Sequence, residues 1–430
     1  MTHWFSDVRP FQLNPLEFLL DRTYGFPEPL EPLALGPKPF FLVTDPQLAK
    51  QILKTGEEFI DKGALVRKLR PLIGDSHLTM SGEEHRKRRD VLHHQLARGA
   101  AARYVPAMAA SIRQSAVSMQ RQKEFDAHEI TGPLAVSLAC VALFGDNVLS
   151  SGDRQVLVGA MKSIEDEVAD EMFRTWPHAP WTYFSRKRRR KPALDAFSFV
   201  VNRVRKKVGT SSVLHSLEQL GLTDDQIRDE ILTMLLAGHH TTGTAGAWIL
   251  YHLAVEPGLA EAIGQEAADI SDDEGEITAA RLSSAETSLA FVREILRLYP
   301  SAWWFSRETK RTVTLAGRKL RRGTSLIISP WQMHRDARFW SDDPHRFNLD
   351  RSYSGAAYMP FGAGPRACVG MGVAMLELQL LALELAAAYE FTYTGSSPAA
   401  WPKPSVTLVP PPLPMSISIR ERRQSQRSAA

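Results

Sequence analysis

The chain has 430 residues, of which 44% are hydrophobic and 23% are charged, and its formal net charge is +4. This composition is close to the globular average and excludes a disordered or fibrous chain. The length exceeds a typical core of about 100–200 residues, so the chain forms either a few domains or one large enzyme-type domain.

The N-terminal half is predicted to begin with a small β element and then to become helical. The first ~60 residues are rich in proline and contain the strand-like run PFFLVTD, which ends at Asp45-Pro46. From about residue 83 to 265, apolar residues recur at three-to-four spacing, which predicts mainly helix. Thr223 and Gln226 match a capping box that starts a long helix. Because that helix is apolar nearly all round, we expect it to cross the core.

The C-terminal half is predicted to change from strand to helix. Between 301 and 360, runs such as TVTLAG and GTSLIIS, separated by Pro, Asp and Gly, indicate short strands and turns. A final helix is expected to begin near Cys368 and to run through VAMLELQLLALELAAAYEF, and the tail at 420–430 should be frayed. The predicted class is mainly α with a minor β part.

The cysteine content and the N-terminus predict a cytoplasmic protein. Cys140 and Cys368, the two cysteines, cannot form a disulfide framework, and MTHWFSDVRP resembles neither a signal peptide nor an anchor helix. No uninterrupted apolar run approaches the roughly 18 residues of a membrane span. We therefore expect no transmembrane anchor and only peripheral contact with membranes.

Two basic runs predict local electropositive patches: HRKRR at 85–89 and SRKRRRKP at 185–192. Such patches suit an acidic protein, a nucleic acid or an anionic lipid surface, while a solvated helix face is the simpler interpretation, favoured for the second run. Neither a zinc-finger nor an aromatic-basic RNA motif accompanies them. We therefore do not expect nucleic acid as a partner.

The decapeptide FGAGPRACVG, residues 361–370, has the chemistry of an axial thiolate site. Cys368 is predicted in the first turn of the final helix, where free N–H groups and the helix dipole stabilise a thiolate. Gly362, Gly364 and Gly370 let the backbone aim amides at the sulfur and let a flat ligand approach. A thiolate on haem iron favours O–O cleavage. The alternative is a small buried core cysteine, which is how we interpret Cys140.

FGAGPRACVG resembles the haem-binding loop of the cytochrome P-450 monooxygenases, and further landmarks of that family follow in order from about 80 to 375. The resemblance implies one cytochrome P-450 domain over 1–430. In it a large helical lobe joins a small β-rich lobe built from about 1–60 and 300–360, with the haem between the central and final long helices. It implies heme b (iron protoporphyrin IX) as cofactor and Cys368 as iron ligand, with Phe361, Gly362, Arg366 and Gly370 around it.

The family's Glu-x-x-Arg element matches Glu294 to Arg297, and its downstream arginine matches Arg351. The resemblance implies a structural role for these three residues behind the haem, although a surface ion pair is the ordinary interpretation of such spacing. This sequence departs from the family pattern nearby, with Leu349 where proline is typical and Ser352 where phenylalanine is. The packing of that corner is therefore open.

A buried haem needs cations for its two propionates, because unpaired buried carboxylates are costly. By similarity to the family, the candidates are His85, Arg89, Arg307 and Arg366. His85 and Arg89 are four apart and so share one helical face, for which a solvated basic face is the alternative.

LLAGHHTT, residues 235–242, resembles the family's oxygen-binding segment. Ala237 and Gly238 leave room above the haem, and the Thr241 hydroxyl can bond the carbonyl of Ala237 and open a groove for O2 or water. His240 stands where most members carry a carboxylate, as in the sterol demethylase branch, and is a candidate proton relay. A hydrogen-bonded structural histidine is the alternative. His239 is expected to face away from the haem.

Three other function classes share some of these sequence features. A zinc hydrolase is disfavoured because adjacent helix residues project about 100° apart, whereas helical zinc ligands sit four apart. A haem sensor without turnover has no use for a thiolate and an oxygen groove. A haem-thiolate enzyme that uses peroxide, isomerises or couples stays open because of His240.

The expected substrate is a lipophilic small molecule: a terpenoid first, then a steroid-like or fatty-acyl molecule. Trp303 and Trp304 follow the Glu-x-x-Arg helix, where family members line the distal pocket, and core packing is the alternative for both. MFRTWPHAPWTYF resembles a mobile roof that carries Trp176, Trp181 and Phe184.

Electrons are expected from a separate ferredoxin and reductase, since no flavin or nicotinamide module is recognisable in the chain. We expect the acidic ferredoxin to dock on the basic face near Arg86, Lys87 and Arg88.

Overall fold

The computed structural model describes residues 4–25, 27–146, 148–173, 182–207, 209, 212–399 and 401–420. Its helices, in chain order, are α1 Val8–Leu13, α2 Pro15–Asp21, α3 Pro46–Lys54, α4 Ala64–Ile73, α5 Gly82–Leu96, α6 Arg98–Ala101, α7 Val105–Gln120, α8 Ala127–Phe144, α9 Ser151–Phe173, α10 Thr182–Arg205, α11 Val213–Glu218, α12 Asp224–Val255, α13 Leu259–Ile270, α14 Ala279–Leu282, α15 Glu286–Leu298, α16 Pro330–Met333 and α17 Met371–Ala388.

The strands are β1 Leu30–Leu33, β2 Phe40–Val43, β3 Ile60–Asp61, β4 Phe125–Asp126, β5 Phe305–Thr309, β6 Val313–Leu315, β7 Arg318–Leu320, β8 Ser325–Ile328, β9 Tyr389–Tyr393, β10 Lys403–Pro404, β11 Leu408–Val409 and β12 Pro414–Ile419. A five-stranded sheet in the order β1-β2-β8-β5-β3 unites strands from the N-terminal region with strands from the region after α15. The β2 register pairs Phe40 with Ser325 and Val43 with Ile328, in parallel. The sequence predicted β elements in both of these regions.

Helix α12 crosses the helical lobe, as its all-round apolar sequence predicted. It starts with the predicted capping box, in which the Thr223 hydroxyl accepts from the Gln226 N–H and the Gln226 side chain accepts from the Thr223 N–H. Gly243 lies against α8, where an added Cβ would come within 3.1 Å of the Gly132 Cα. The Thr131 hydroxyl of α8 also donates to the carbonyl of Gly243 at 2.7 Å. Small residues thus let the two backbones approach closely.

Helix α17 is the second long core helix and packs against α7, α12, α13 and α15. By length and composition, α8 and α17 could each span a membrane, but 72% of the apolar window in α8 and 67% of that in α17 are buried inside this fold. Burial within the protein explains their apolar sequences without a bilayer.

A three-stranded sheet in the order β4-β12-β9 follows α17 and was not predicted from the sequence. Strand β12 pairs with β9, as Met415 opposite Tyr393 shows, and its first residues also pair with β4. The predicted final helix therefore ends at Ala388, since Tyr389 begins β9. The frayed tail proposed for 420–430 lies outside the described residues, apart from Arg420.

Candidate active site

A cavity of about 420 Å³ lies where α12 and the start of α17 face each other. Its volume falls in the usual range of ligand pockets, roughly 300–1,000 Å³. Candidate residues predicted from separate parts of the sequence share its lining: His85, Arg89, Ala237, Gly238, Thr241, Trp304, Arg307, Phe361, Gly362, Arg366, Cys368 and Gly370. The tertiary structure therefore brings most of the predicted site residues together.

The Cys368 loop is held by its own backbone. The Cys368 N–H donates to the Phe361 carbonyl at 2.8 Å, which closes the loop ahead of α17. Gly362 and Gly364 have φ of +68° and +71°, in the left-handed region that favours glycine. At Gly364 a Cβ would lie 2.3 Å from the Leu53 carbonyl oxygen, so this loop can pack on α3 only without a side chain.

Cys368 lies just before α17, not in its first turn as the sequence suggested. The helix begins at Met371 with Gly370 as N-cap. The Cys368 side chain is exposed and lines the cavity. Burial raises the pKa of its thiol, while the Gly370 N–H and the Arg89 guanidinium oppose this shift. These two donors and the helix dipole would stabilise a thiolate once a metal replaces the proton. Cys140, by contrast, is buried in the core, and burial raises its pKa to about 12.

The four predicted propionate partners line one rim of the cavity. Burial, followed by the charges of Arg366 and Lys62, lowers the pKa of His85 to about 3. Burial and then Arg366 lower the pKa of Arg307 to about 10. Burial also lowers the pKa values of Arg89 and Arg366. An anion placed among these groups would offset both their burial and their mutual repulsion.

The rim fits the two carboxylates of a haem. Nδ1 of His85 and Nε of Arg366 are buried without a hydrogen-bond partner among the described residues. The nearest acid, Glu57, lies 2.5 Å from Arg366 and 3.6 Å from Nδ1 of His85. One carboxylate does not satisfy this many buried donors, whereas two further carboxylates would.

Lys62 and His77 also line this rim, although sequence reasoning did not identify them. Burial, and then the charges of Arg366 and Arg307, lower the pKa of Lys62 well below its usual range. Its Nζ donates to the Leu78 carbonyl at 2.7 Å. Both residues lie between α3 and α5 in a region that carries no family motif in the sequence, so only the fold places them at the site.

The opposite wall is built by α12. The Thr241 hydroxyl donates to the Ala237 carbonyl at 2.7 Å, as the sequence predicted. The Ser301 hydroxyl in turn donates to the Thr241 carbonyl at 3.0 Å. Gly238 sits beside Ala139 of α8, and a Cβ there would be in contact with it at 3.4 Å. The α12 wall therefore presents the small residues Ala237 and Gly238 and the two threonines Thr241 and Thr242 to the cavity, beside Met234.

Comparison with known proteins identifies the family. The family model of cytochrome P450 matches residues 14–418. The chain belongs to the cytochrome P450 family. It is thus an oxidoreductase, a P450 monooxygenase with the P450 fold, and the family implies a haem cofactor.

Curated relatives include bacterial P450s. Cyclooctatin synthase of Streptomyces melanosporofaciens is 27% identical over 87% of this chain and 87% of its own length. Cyclooctat-9-en-7-ol 5-monooxygenase of the same organism is 28% identical over 85% and 82% of the two chains. Pentalenene oxygenase of Streptomyces avermitilis is 26% identical over 79% and 78%.

The Glu-x-x-Arg element of this P450 is a buried network, not a surface ion pair. Arg297 donates to both carboxylate oxygens of Glu294 at 2.7 Å, and Arg351 Nε donates to one of them at 3.2 Å. All three side chains are almost fully buried. The Tyr353 hydroxyl also donates to Glu294 at 2.9 Å. Arg297 further bonds the carbonyls of His334, Pro344 and Arg346, so the network fixes the segment that leads toward the cysteine loop.

His240 is not among the described lining of the cavity. Its Nε2 lies 2.9 Å from Oε1 of Glu165 in α9, and Nδ1 of His239 lies 3.1 Å from the same oxygen. Although burial opposes ionisation, these two contacts lower the pKa of Glu165 to about 2. The adjacent histidines thus converge on one carboxylate. Adjacent helix residues project about 100° apart, and rotation about the χ angles of each side chain brings both imidazoles to the same oxygen.

Glu377 is a buried acid at the site that the sequence did not reveal. It projects from α17 into the cavity lining, and the Thr242 hydroxyl donates to it at 3.1 Å. Burial, only partly offset by Thr242, raises the pKa of Glu377 to about 8. This carboxyl holds its proton at neutral pH. In the sequence it is one glutamate in an apolar helix, without a motif.

The two tryptophans predicted for the substrate pocket have different surroundings. Trp304 lines the cavity, but the placement of Trp303 there was wrong. Trp303 is fully buried in a core cluster, and its indole N–H donates to the Ser405 carbonyl at 2.9 Å. The two indole rings remain in contact, with centroids 5.6 Å apart, but Trp303 lies on the core side of the pair and only Trp304 reaches the cavity. Of the predicted roof, Trp176 and Trp181 lie outside the described residues, and Phe184 is exposed.

The basic run on α5 divides between surface and core. Arg86 and Lys87 are exposed, and Lys87 lies 3.0 Å from Glu83. The assignment of Arg88 to a docking face was wrong. Its side chain is 1% exposed and pairs with the buried Glu230 of α12 at 3.0 Å. Helical periodicity turns every third or fourth residue inward, which a run of five basic residues does not reveal.

Proposed function

We propose that this P450 inserts one oxygen atom of O2 into a lipophilic small molecule, a terpenoid before a steroid-like or fatty-acyl compound, with heme b as its cofactor. One observation carries the proposal. A single cavity presents the Cys368 side chain, a cationic rim and the Thr241 hydroxyl together.

The chain's own residues would hold the cofactor in defined roles. Cys368 Sγ is the proposed iron ligand, with the Gly370 N–H and Arg89 supporting its negative charge. The propionates are assigned to the hydrogen-bond donors of the rim: Lys62, His85, Arg89, Arg307 and Arg366. Phe361, Gly362 and Gly370 shape the loop against the flat ligand. When bound, the haem supplies the iron at which O2 is reduced and an oxygen atom is transferred.

Proton supply is assigned to the α12 wall. Thr241 orients a proton donor through its hydroxyl, while Ala237 and Gly238 leave space beside it. Glu377 holds a proton within the cavity at neutral pH. His240, which contacts Glu165 away from the described lining, would act from the solvent side, and its relay role remains a prediction.

The lining supports an apolar substrate. Besides Trp304, it includes the apolar side chains Val66, Leu69, Leu78, Leu143, Met234, Leu296 and Phe305. Walls of this kind bind by excluding water and offer few polar groups to orient the ligand. The names of two relatives specify cyclooctat-9-en-7-ol and pentalenene, which favours a terpenoid for this chain.

Electron delivery is assigned to a separate acidic ferredoxin that docks at Arg86 and Lys87. Both side chains are exposed on α5, the helix that also carries His85 and Arg89 to the cavity. A positively charged face beside the haem site accelerates encounter with an acidic partner. The cytoplasmic location remains a prediction from the sequence.

The decisive experiment compares purified wild-type protein with Cys368→Ser and Cys140→Ser. The reduced carbon monoxide complex of the wild type should give the thiolate-type Soret band, which Cys140→Ser keeps and Cys368→Ser loses. A histidine-type band in the wild type, or a thiolate band that survives Cys368→Ser, would overturn the ligand assignment.

Substrate class and oxygen source need a second experiment. A terpenoid hydrocarbon, a steroid and a fatty acid are titrated in parallel, and the terpenoid should give the largest Soret shift. The product formed under ¹⁸O2 with a ferredoxin system should carry one labelled atom. Product made from peroxide alone at the same rate, or no product from any class, would favour the non-monooxygenase or sensor alternatives.

A further inference from the structure

Three metal-binding side chains converge where α9 packs on α12. His239 Nδ1 and His240 Nε2 lie 3.1 and 2.9 Å from the same carboxylate oxygen of Glu165. One ligand atom from each of the three residues lies within 4.8 Å of the others. Across the described ranges, these are the residues that form such a His/Cys/Asp/Glu group.

The spacing of these atoms is close to what a metal ion requires. A tetrahedral Zn²⁺ ion with bonds of about 2.0–2.1 Å holds its ligand atoms roughly 3.3 Å apart. The two observed histidine–glutamate separations are within a few tenths of that distance. The imidazole rings have centroids 4.7 Å apart and planes tilted by 36°, and one nitrogen of each ring approaches the same Glu165 oxygen. An ion placed between the three ligand atoms requires rotation of these side chains.

The site is also accessible and chemically selective. The three side chains are 16%, 17% and 27% exposed for Glu165, His239 and His240, so an ion can reach them from solvent. Two imidazoles and one carboxylate suit Zn²⁺ and neighbouring transition metals, whereas Mg²⁺ and Ca²⁺ prefer all-oxygen sites. Three protein ligands leave a fourth position for water.

We propose that Glu165, His239 and His240 bind one divalent transition-metal ion, with Zn²⁺ as the best match, and that the ion clamps α9 to α12. Without metal, the two imidazoles donate N–H groups to Glu165. On metal binding, each coordinating nitrogen gives up its proton and the other nitrogen of the same ring takes one from solvent, so a neutral imidazole changes tautomer without a net change in protons. The site is separate from the haem cavity, to whose described lining none of the three residues contributes.

The test is calorimetric titration of the haem-loaded full chain with ZnCl2. Wild type should bind one equivalent. Glu165→Gln and His239→Ala should each weaken that binding by about tenfold or more, since even the loss of a residue that only orients a metal ligand costs that much. His93→Ala is the matched control. It removes one member of another adjacent histidine pair, His93 and His94, which is exposed on α5.

Each outcome decides the proposal. The site is supported if His93→Ala binds Zn²⁺ as wild type does, while Glu165→Gln and His239→Ala both lose Zn²⁺ binding. Both site variants must retain wild-type haem content. Zinc absorption-edge data that show two imidazole ligands would support it independently. Absence of stoichiometric binding, binding indifferent to Glu165→Gln and His239→Ala, or an equal loss in His93→Ala overturns it.

One consequence rests on the proposed function. A metal ion at this site would withdraw His240 from proton transfer, so Zn²⁺ at saturating concentration should slow wild-type turnover but not turnover by Glu165→Gln. Zinc that binds without slowing turnover would leave the metal site standing and reject the relay role of His240. Failure of the haem-thiolate assignment would appear separately, in the Soret band.

Discussion

The hydroxyl of Thr241 donates a 2.7 Å hydrogen bond to the carbonyl of Ala237, one turn earlier in α12, at the wall of the cavity that holds Cys368. With its proton engaged in this bond, the hydroxyl oxygen can accept a hydrogen bond from a proton donor beside the space where oxygen chemistry is proposed. Thr241→Ala should therefore uncouple electron use from product formation, and Thr241→Ser should restore most of the coupling. The ratio of product formed to NADPH consumed measures this. Equal ratios in wild type, Thr241→Ala and Thr241→Ser would show that Thr241 has no part in proton delivery.

Glu377 predicts a pH dependence of stability. Its folded pKa of about 8 lies above the ordinary value of 4.5, so between these values the native state holds a proton that the unfolded chain releases. Its contribution is complete below about pH 4.5 and is lost as pH rises toward 8. Glu377→Gln should reduce the fall in unfolding free energy by up to about 1.4 kcal/mol per pH unit in that range.

Urea unfolding of the haem-loaded protein from pH 5.5 to 8.5 measures the Glu377 effect. Glu274→Gln, on an exposed turn, is the matched control and should leave the pH slope unchanged. Glu384 contributes a slope of its own, because burial raises its pKa to about 7, so wild type retains some dependence after Glu377 is replaced. If the unfolding free energy of Glu377→Gln depends on pH as steeply as that of wild type, then Glu377 is ionised in the native protein.

Lys62 should help to retain the haem although no motif marks it. Its ammonium is buried among other cations, and a propionate beside it would remove the conflict. Lys62→Met keeps the side chain's length and removes the charge. Loss of one charge-assisted hydrogen bond should speed haem transfer to apomyoglobin by about tenfold or more. The exposed Lys54→Met should transfer haem at the wild-type rate, and a matching rate in Lys62→Met would exclude Lys62 from the site.

Trp303 and Trp304 are neighbours in the chain, but we expect their replacement to affect different properties, stability for Trp303 and ligand binding for Trp304. Trp303 is fully buried, so Trp303→Ala should lower the unfolding free energy by about 3–5 kcal/mol. Trp304 lines the cavity, so Trp304→Ala should mainly change the Soret shift and affinity for terpenoid ligands. Urea unfolding and ligand titration on both variants separate these effects. If Trp303→Ala left the protein stable and changed ligand binding more than Trp304→Ala did, Trp303 would be the cavity residue and Trp304 the core residue.

The ferredoxin interface is tested by charge reversal. Arg86→Glu with Lys87→Glu should slow reduction by an acidic ferredoxin at least tenfold at low salt, with the difference shrinking as salt is added. Lys187→Glu with Arg188→Glu makes the same charge change on exposed positions of α10 and serves as the control. Equal reduction rates in both double variants would place the docking face elsewhere. Arg88 is left intact because its pairing with Glu230 is structural.

Sequence reasoning was most successful where chemistry constrains residues that are close in the chain. The Cys368 loop, the Thr241 bond to Ala237 and the α12 capping box all follow from local spacing. All three are present in the structure. Regions 1–60 and 300–360 were predicted to hold strands, and they share the five-stranded sheet. The strands after Ala388 were missed because they are short, and because β12 completes its sheet by pairing with Phe125 and Asp126, which are far away in the chain.

By itself, the sequence determined the kind of chemistry: a single cysteine in a glycine-rich loop before an apolar helix, and a small-residue wall with a threonine. Only the tertiary structure decided which side chains share one space. It added Lys62 and Glu377 to the cavity and withdrew Trp303. The reason is physical. Hydrogen bonds within a loop or helix turn depend on near neighbours, whereas burial, pKa shifts and convergence such as that of His239 and His240 on Glu165 depend on how distant helices pack.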